Sequence, residues 1–121
     1  MAQAFQDLTV WQRAMELTEA VYSLTKTFPK DEIYGITSQV RRAALSVPAN
    51  ITEGYARYSD KSNKQFLLIA FGSLQELRYF LKFSLEEGLL SQENFDTSAR
   101  LSEECSKMLW KSIKTLESKH C

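Results

Sequence analysis

The sequence predicts an all-α fold, an up-down-up-down antiparallel four-helix bundle with a proline-kinked second helix. Apolar residues recur at helical spacing in four stretches, and short breaks separate these stretches. Four glycines and two prolines in 121 residues are too few for the many turns of a strand-rich sandwich. The chain has the length of one domain, so we expect a single four-helix-bundle domain over residues 1–121. Breaks this short favour antiparallel neighbours.

The first two predicted helices meet at a break that contains Pro29. Helix one, about residues 8–27, has an apolar face made of Val10, Ala14, Leu17, Val21 and Leu24. Pro29 ends this helix, and Asp31 can cap the next one. Helix two, about residues 32–57, carries an apolar face that begins at Ile33. Pro48 lies inside that pattern and predicts a kink within one helix rather than two separate helices.

The last two predicted helices have clear start and stop residues. Helix three, about residues 60–87, follows a cap at Ser59 or Asp60 and ends at Gly88, which suits a left-handed C-terminal cap. Helix four, about residues 92–118, follows a Ser91 cap. Its first turn carries Glu93, which is favourable at the positive end of a helix.

Helix three has two apolar faces. The main face contains Phe66, Ala70, Leu74, Leu77, Leu81 and Leu85, and the opposite face contains Leu68, Gly72, Tyr79 and Phe83. Two apolar faces on one helix of a small bundle need two partners. One interpretation is that Tyr79 and Phe83 cover loops of a monomer. The favoured one is that this second face, together with Trp110 of helix four, packs against another subunit.

Helix two also carries a polar stripe beside its apolar face. The stripe consists of Gln39, Arg42, Ser46, Asn50, Glu53 and Arg57. One interpretation is a solvated face with a structural polar network of Asn50, Glu53 and Glu76 that fixes helix register. The other is that basic residues bind phosphates of a nucleic acid. The candidate nucleic-acid-binding residues are Arg41, Arg42, Arg57, Lys61 and Lys64.

Patterns that would indicate an enzyme are lacking in the sequence. The only histidine, His120, is the penultimate residue, and neither zinc spacing, a phosphate-binding loop nor a nucleophile elbow occurs. We therefore expect no catalysis, no cofactor, no metal and no small-molecule substrate. The remaining enzymatic hypothesis would need Arg42, Glu53 and Glu76 to converge in an open pocket.

Cysteine usage and hydropathy predict a cytoplasmic protein. The N-terminus has neither a basic nor an apolar signal region, and the longest apolar run, 66–71, is far short of the roughly 20 residues of a membrane span. Cys105 and Cys121 lack metal-binding spacing, so we expect two reduced thiols. Fifteen cationic and fifteen anionic residues cancel, which weakens a reading as a strongly basic nucleic-acid coat.

Five fragments in order resemble a known family. They are residues 8–12 (LTVWQ); Phe28-Pro29 with Glu32 and Tyr34-Gly35; Gln39 with Arg41-Arg42-Ala43 and Ser46; residues 50–54 (NITEG); and Phe66 with Ala70, Gly72-Ser73 and Glu76. The chain resembles the bacterial four-helix-bundle proteins encoded in intervening sequences of 23S rRNA genes. That family is similar to the accessory variability determinant protein of diversity-generating retroelements.

The resemblance implies a cytoplasmic homopentamer, and for the retroelement relatives it implies binding of nucleic acid and of a reverse transcriptase. We therefore predict a non-enzymatic oligomer associated with RNA or with an RNA–protein complex, and not with a membrane. The alternative is a protein-interaction scaffold that binds no nucleic acid.

Overall fold

The chain forms four α-helices that pack into one bundle. The computed structural model describes residue 5 and residues 8–119. The helices are α1 (Thr9–Thr25), α2 (Ile36–Tyr55), α3 (Asp60–Glu86) and α4 (Gln92–Ser118), with a 3₁₀ turn at Lys30–Glu32. Consecutive helices pack against each other and α1 packs against α4, whereas the backbones of the diagonal pairs stay further apart. The predicted all-α four-helix bundle is confirmed, and no strand occurs in the described part of the chain.

The core lies where the predicted apolar faces meet. Its largest fully buried apolar side chains are Leu17, Val21, Val40, Val47, Ile51, Leu74, Leu77, Leu81, Cys105, Leu109 and Ile113. Burying a side chain of this size contributes about 1.5–3 kcal/mol, so these residues hold the four helices together. Ile113 and the buried Leu67 belong to the core although the predicted faces omitted them.

Local capping sets the bounds of α3 and α4. Ser59 Oγ accepts a hydrogen bond from the Ser62 backbone N–H at 3.1 Å, and Ser91 Oγ accepts one from Asn94 at 3.1 Å. Gly88 has a φ of 75°, the left-handed conformation that glycine adopts without steric cost. The three predicted signals are confirmed.

The start of α2 differs from the prediction. Asp31 caps no α-helix; it belongs to the 3₁₀ turn, in which Glu32 N–H donates to Pro29 O at 3.0 Å. The non-helical backbone of Gly35 (φ −109°, ψ −117°) then separates this turn from α2, which begins at Ile36. Ile33 therefore lies outside α2 and is 52% exposed, so its predicted place on the apolar face was wrong.

Pro48 lies within α2 without dividing it. Proline lacks the N–H that would bond the Ala44 carbonyl one turn earlier. The buried Thr18 hydroxyl of α1 lies 3.1 Å from Ala44 O and 2.8 Å from Ala14 O, so it offers that carbonyl a donor from the neighbouring helix. The prediction of one continuous helix is confirmed, and the kink stays a prediction.

The described helices carry no segment that could span a bilayer, because none is both long and apolar enough. Whether residues 1–121 form one domain stays a prediction, since the structure describes part of that range.

Candidate nucleic-acid interface and subunit face

The first candidate cation, Arg41, lies between α1 and α2. Its Nε donates to Thr25 Oγ1 at 2.9 Å, and its guanidinium lies 4.8 Å from the centre of the Tyr22 ring. Both contacts cross from α2 to α1. Arg41 is therefore half-buried and oriented by α1.

Arg42 lies on the other side of α2, next to α3. Its Nη2 donates to Gln39 Oε1 at 2.9 Å and to Glu76 Oε1 at 3.2 Å. The ion pair with Glu76 joins α2 to α3. Because both partners are largely solvent-exposed, such a pair contributes little stability, about 0–1 kcal/mol. A second anion can therefore compete for the same guanidinium.

Arg57, Lys61 and Lys64 lie around the connection between α2 and α3. Arg57 Nη2 donates to Glu53 Oε2 at 3.1 Å, and its guanidinium lies 4.4 Å from the centre of the Phe66 ring. Lys61 is exposed. Lys64 Nζ pairs with Glu117 Oε2 of α4 at 2.9 Å.

Glu117 forms ion pairs with lysines of two helices, Lys64 of α3 and Lys114 of α4. Hydrogen bonds from Lys64 and from Lys114 lower the pKa of its carboxyl below the ordinary value. The ionised form of Glu117 is therefore stabilised. The Lys64–Glu117 ion pair links α3 to α4.

The five candidate cations do not form one cluster. Arg41 faces α1, Arg42 faces Glu76 on α3, and Lys64 faces α4. Among the described residues, carboxylates pair with three of the five, namely Arg42, Arg57 and Lys64. An arginine has five N–H donors, so the paired arginines keep donors for a further anion.

The three residues of the predicted polar network lie in separate groups. Asn50 Nδ2 donates to Ser46 O at 2.8 Å and to Ser46 Oγ at 3.0 Å. Ser46 Oγ lies 2.8 Å from Ser73 Oγ of α3, so these three residues join α2 to α3. Glu76 instead pairs with Arg42 of α2, and Glu53 pairs with Arg57 within α2.

The enzymatic arrangement of Arg42, Glu53 and Glu76 does not assemble, because Glu53 and Glu76 have different arginine partners. Within residues 8–119 and residue 5, no group of three or more His, Cys, Asp or Glu residues could hold a metal. Burial, with a smaller contribution from Glu104, raises the pKa of the Cys105 thiol to about 12, which makes it a poor nucleophile. His120 and Cys121 lie outside the described residues.

The second apolar face of α3 is exposed. Leu68, Gly72, Tyr79 and Phe83 all lie at the surface, with Tyr79 65% exposed. Trp110 of α4 is 45% exposed, and its ring centre lies 5.4 Å from that of Phe71 on α3. These five residues, Leu68, Gly72, Tyr79, Phe83 and Trp110, are called the outer face below. Ile69 and Leu45 are also exposed, although the sequence analysis did not single them out.

The sequence analysis also missed Thr37. It is buried, and its hydroxyl has no hydrogen-bond partner among the described residues. The signal was available in the order Gly35, Ile36, Thr37, since glycine can begin a helix and a hydroxyl then falls in the first turn. The predicted start of helix two was about four residues too early, so Thr37 was not recognised as a first-turn residue.

Comparison with known proteins places this bundle in a family. The family model of the 23S rRNA-intervening sequence protein matches residues 6–111, so the chain belongs to that family. A crystal structure of a protein of unknown function, from the S23 ribosomal protein family of Bacteroides thetaiotaomicron, has a similar fold. It superposes with a TM-score of 0.82 at 23% sequence identity, over 88% of this chain and 99% of that one. No curated protein matches the sequence.

Proposed function

We propose that the protein is a non-enzymatic homo-oligomer of the bacterial cytoplasm that associates with RNA. The observation that carries the proposal is the outer face, which places large apolar side chains in solvent on one side of α3. Large apolar side chains grouped on one side of a helix are typical of a contact surface rather than of a free one. The outer face lies opposite the core on the same helix, so a second subunit can cover it without disturbing the bundle.

The proposed assembly is a homopentamer, as the family resemblance implies. Light scattering coupled to size exclusion should give a mass near five chains. Phe83→Asp should dissociate the assembly, because it would bury an unpaired carboxylate between subunits. The matched control is Tyr34→Asp, because Tyr34 is an aromatic residue outside the outer face that is 96% exposed. A Phe83→Asp protein that keeps its oligomeric mass would refute the assignment of the outer face.

RNA association rests on family membership and on charge distribution. Residues 40–82 contain seven cationic and three anionic side chains, although the whole chain is neutral. The cations of that segment are Arg41, Arg42, Arg57, Lys61, Lys64, Arg78 and Lys82. A ring of subunits repeats this basic segment, so weak individual contacts add up through multivalency. Because the family resembles retroelement accessory proteins, one proposed RNA–protein partner is a complex that contains a reverse transcriptase.

Filter binding with a short RNA over a range of salt concentrations tests this association. The affinity should fall steeply with salt, because each neutralised phosphate releases counterions. Arg42→Glu and Arg57→Glu should weaken binding without changing the oligomeric mass. Lys107→Glu is the matched control, since Lys107 also has a carboxylate partner, Glu103 at 3.4 Å, but lies on α4. Unchanged affinity in both arginine variants would refute the assigned interface.

A second candidate is a protein-interaction scaffold. It is favoured by one observation, that Arg42, Arg57 and Lys64 each pair with a carboxylate of the same chain. This candidate predicts an intact oligomer whose RNA binding is absent at all salt concentrations. The same filter-binding series therefore separates it from the first.

A further inference from the structure

We propose that the N-terminal end of α2 and the facing part of α1 form a binding site for a phosphate monoester. Two cavities, of about 440 and 250 Å³, share Ile33, Thr37 and Arg41 among their lining residues. A water molecule occupies about 30 Å³ in the liquid, so either cavity holds a five-atom oxyanion. The proposal does not require RNA association, although the two share Arg41 and Arg42.

The Thr37 hydroxyl is the first polar group at this site. Thr37 lines both cavities, is only 5% exposed, and its Oγ1 has no hydrogen-bond partner among the described residues. A buried hydroxyl without a partner is unfavourable and uncommon. A phosphate oxygen in the cavity would accept the hydrogen bond that Thr37 can donate.

The first turn of α2 lies at the same site, because Thr37 and Ser38 line the larger cavity. The first backbone bond of this helix runs from Gln39 N–H to Gly35 O at 3.1 Å, so the N–H groups of residues 36–38 have no carbonyl partner within the helix. Gly35 offers no capping side chain, and the first turn contains no acidic residue. These N–H groups and the positive end of the helix dipole favour an anion.

Cationic side chains also lie at this site. Arg41 lies one turn after Thr37, and its hydrogen bond to Thr25 and its contact with the Tyr22 ring orient the guanidinium while leaving the Nη groups without another described partner. Lys26 and Lys30 line the smaller cavity. Because several cations and a hydroxyl converge, a doubly charged phosphate monoester fits better than a singly charged diester.

Two acidic residues precede α2, and of these Glu32 lies close enough to the beginning of the helix that its carboxylate must turn away when an anion binds. Asp31 and Glu32 lie in the 3₁₀ turn, and neither lines either cavity. Glu32 Oε1 approaches Gly35, since a Cβ built there would lie 3.1 Å from it. Arg42 lines the larger cavity while it remains paired with Glu76.

Titration of the full chain with inorganic phosphate, followed by amide NMR at constant ionic strength against chloride, tests the site. The amides of Ile36, Thr37 and Ser38 should shift and saturate. Thr37→Val should weaken phosphate binding about tenfold or more, the usual value of a hydrogen bond to a charged group. It should keep its melting temperature, because the hydroxyl it loses has no partner. Arg41→Gln should weaken binding as well.

Two matched controls remove the same groups elsewhere. Thr97→Val and Arg100→Gln change exposed residues of α4 and should leave phosphate affinity unchanged. Shifts that do not saturate, or equal affinity of Thr37→Val and wild type, would overturn the proposal.

The source of the phosphate is found by comparing adenosine monophosphate with a short RNA that has a 5′-phosphate or a 5′-hydroxyl. Tighter binding of the 5′-phosphorylated RNA supports the site as one for an RNA end. Preference for the mononucleotide supports it as one for a free phosphate compound. RNA binding that is absent while the phosphate shifts persist would refute the proposed RNA association and leave this site standing.

Discussion

Gly54 lies next to the end of α2, and replacing it with alanine tests how closely α2 and α3 pack. A Cβ at this position would lie 2.7 Å from Asn63 Oδ1, 3.1 Å from Asn63 O and 3.1 Å from Phe66 Cβ. The amide of Asn63 can rotate away. The carbonyl oxygen and the Cβ atom move only with α3 itself, so Gly54→Ala must push the two helices apart by a few tenths of an ångström.

The magnitude follows from two opposing effects. Overpacking of this kind costs about 1–3 kcal/mol. Alanine regains at most about 1 kcal/mol over glycine through helix propensity, and less in the last turn. The free energy of unfolding should therefore fall by about 1–2 kcal/mol, and the melting temperature by roughly 4–8 °C.

The matched control is Gly72→Ala, the same chemical change on the exposed side of α3. A Cβ at Gly72 would meet nothing within 4 Å, so alanine should raise the free energy of unfolding by about 0.5–1 kcal/mol. Urea unfolding followed by far-UV circular dichroism measures both. Two protein concentrations separate folding from subunit association. A Gly54→Ala protein as stable as wild type, beside a stabilised Gly72→Ala, would refute the close α2–α3 contact.

Three further predictions concern the core, the proline inside α2 and the buried thiol. Leu74→Ala should lower the free energy of unfolding by about 2–5 kcal/mol in urea titrations, because Leu74 is fully buried; unchanged stability would contradict that burial. Thr18→Val should cost about 1–3 kcal/mol by leaving the Ala44 carbonyl without a donor, and much less in a Pro48→Ala background that restores the backbone N–H. Additive effects in this double-mutant cycle would contradict the bridge. Burial raises the pKa of Cys105 to about 12, so the thiol of the unfolded chain ionises first and the free energy of unfolding should fall by about 1.5–2 kcal/mol from roughly pH 8 to pH 10. Cys105→Ala should remove that part of the pH dependence measured by urea unfolding, and identical slopes would contradict the thiol's role.

Local signals predicted those parts of the fold that depend on neighbouring residues. The bounds of α3 and α4 follow from Ser59, Gly88 and Ser91, whose capping needs only the adjacent turn. The Glu53–Arg57 pair follows equally from its i,i+4 spacing on one helix. The start of α2 was predicted wrongly because Asp31 suits either a helix cap or a 3₁₀ turn. In the structure it lies in the 3₁₀ turn.

Contacts between distant residues could not be predicted from spacing. The partner of Arg42 is Glu76, 34 residues away, and its choice depends on the relative register of α2 and α3. Lys64 finds Glu117 by the same kind of long-range alignment. A count of charges along the sequence treats Arg42 and Lys64 as free to bind phosphate. In the folded structure each of them pairs with a carboxylate. The exposed outer face was predictable, because a second apolar stripe opposite the core is visible in the periodicity alone.

The bridge from Thr18 to Ala44 also has a consequence for sequence variation within the family. Proline at position 48 is tolerable inside α2 because another helix supplies a donor, so the two positions are not independent. A relative that keeps the proline should keep a hydroxyl at the position of Thr18. In a relative without the proline, the backbone N–H of α2 can bond the carbonyl itself. Valine or alanine can then occupy the position of Thr18. The two positions should therefore change together, although they lie on different helices and are 30 residues apart in the chain.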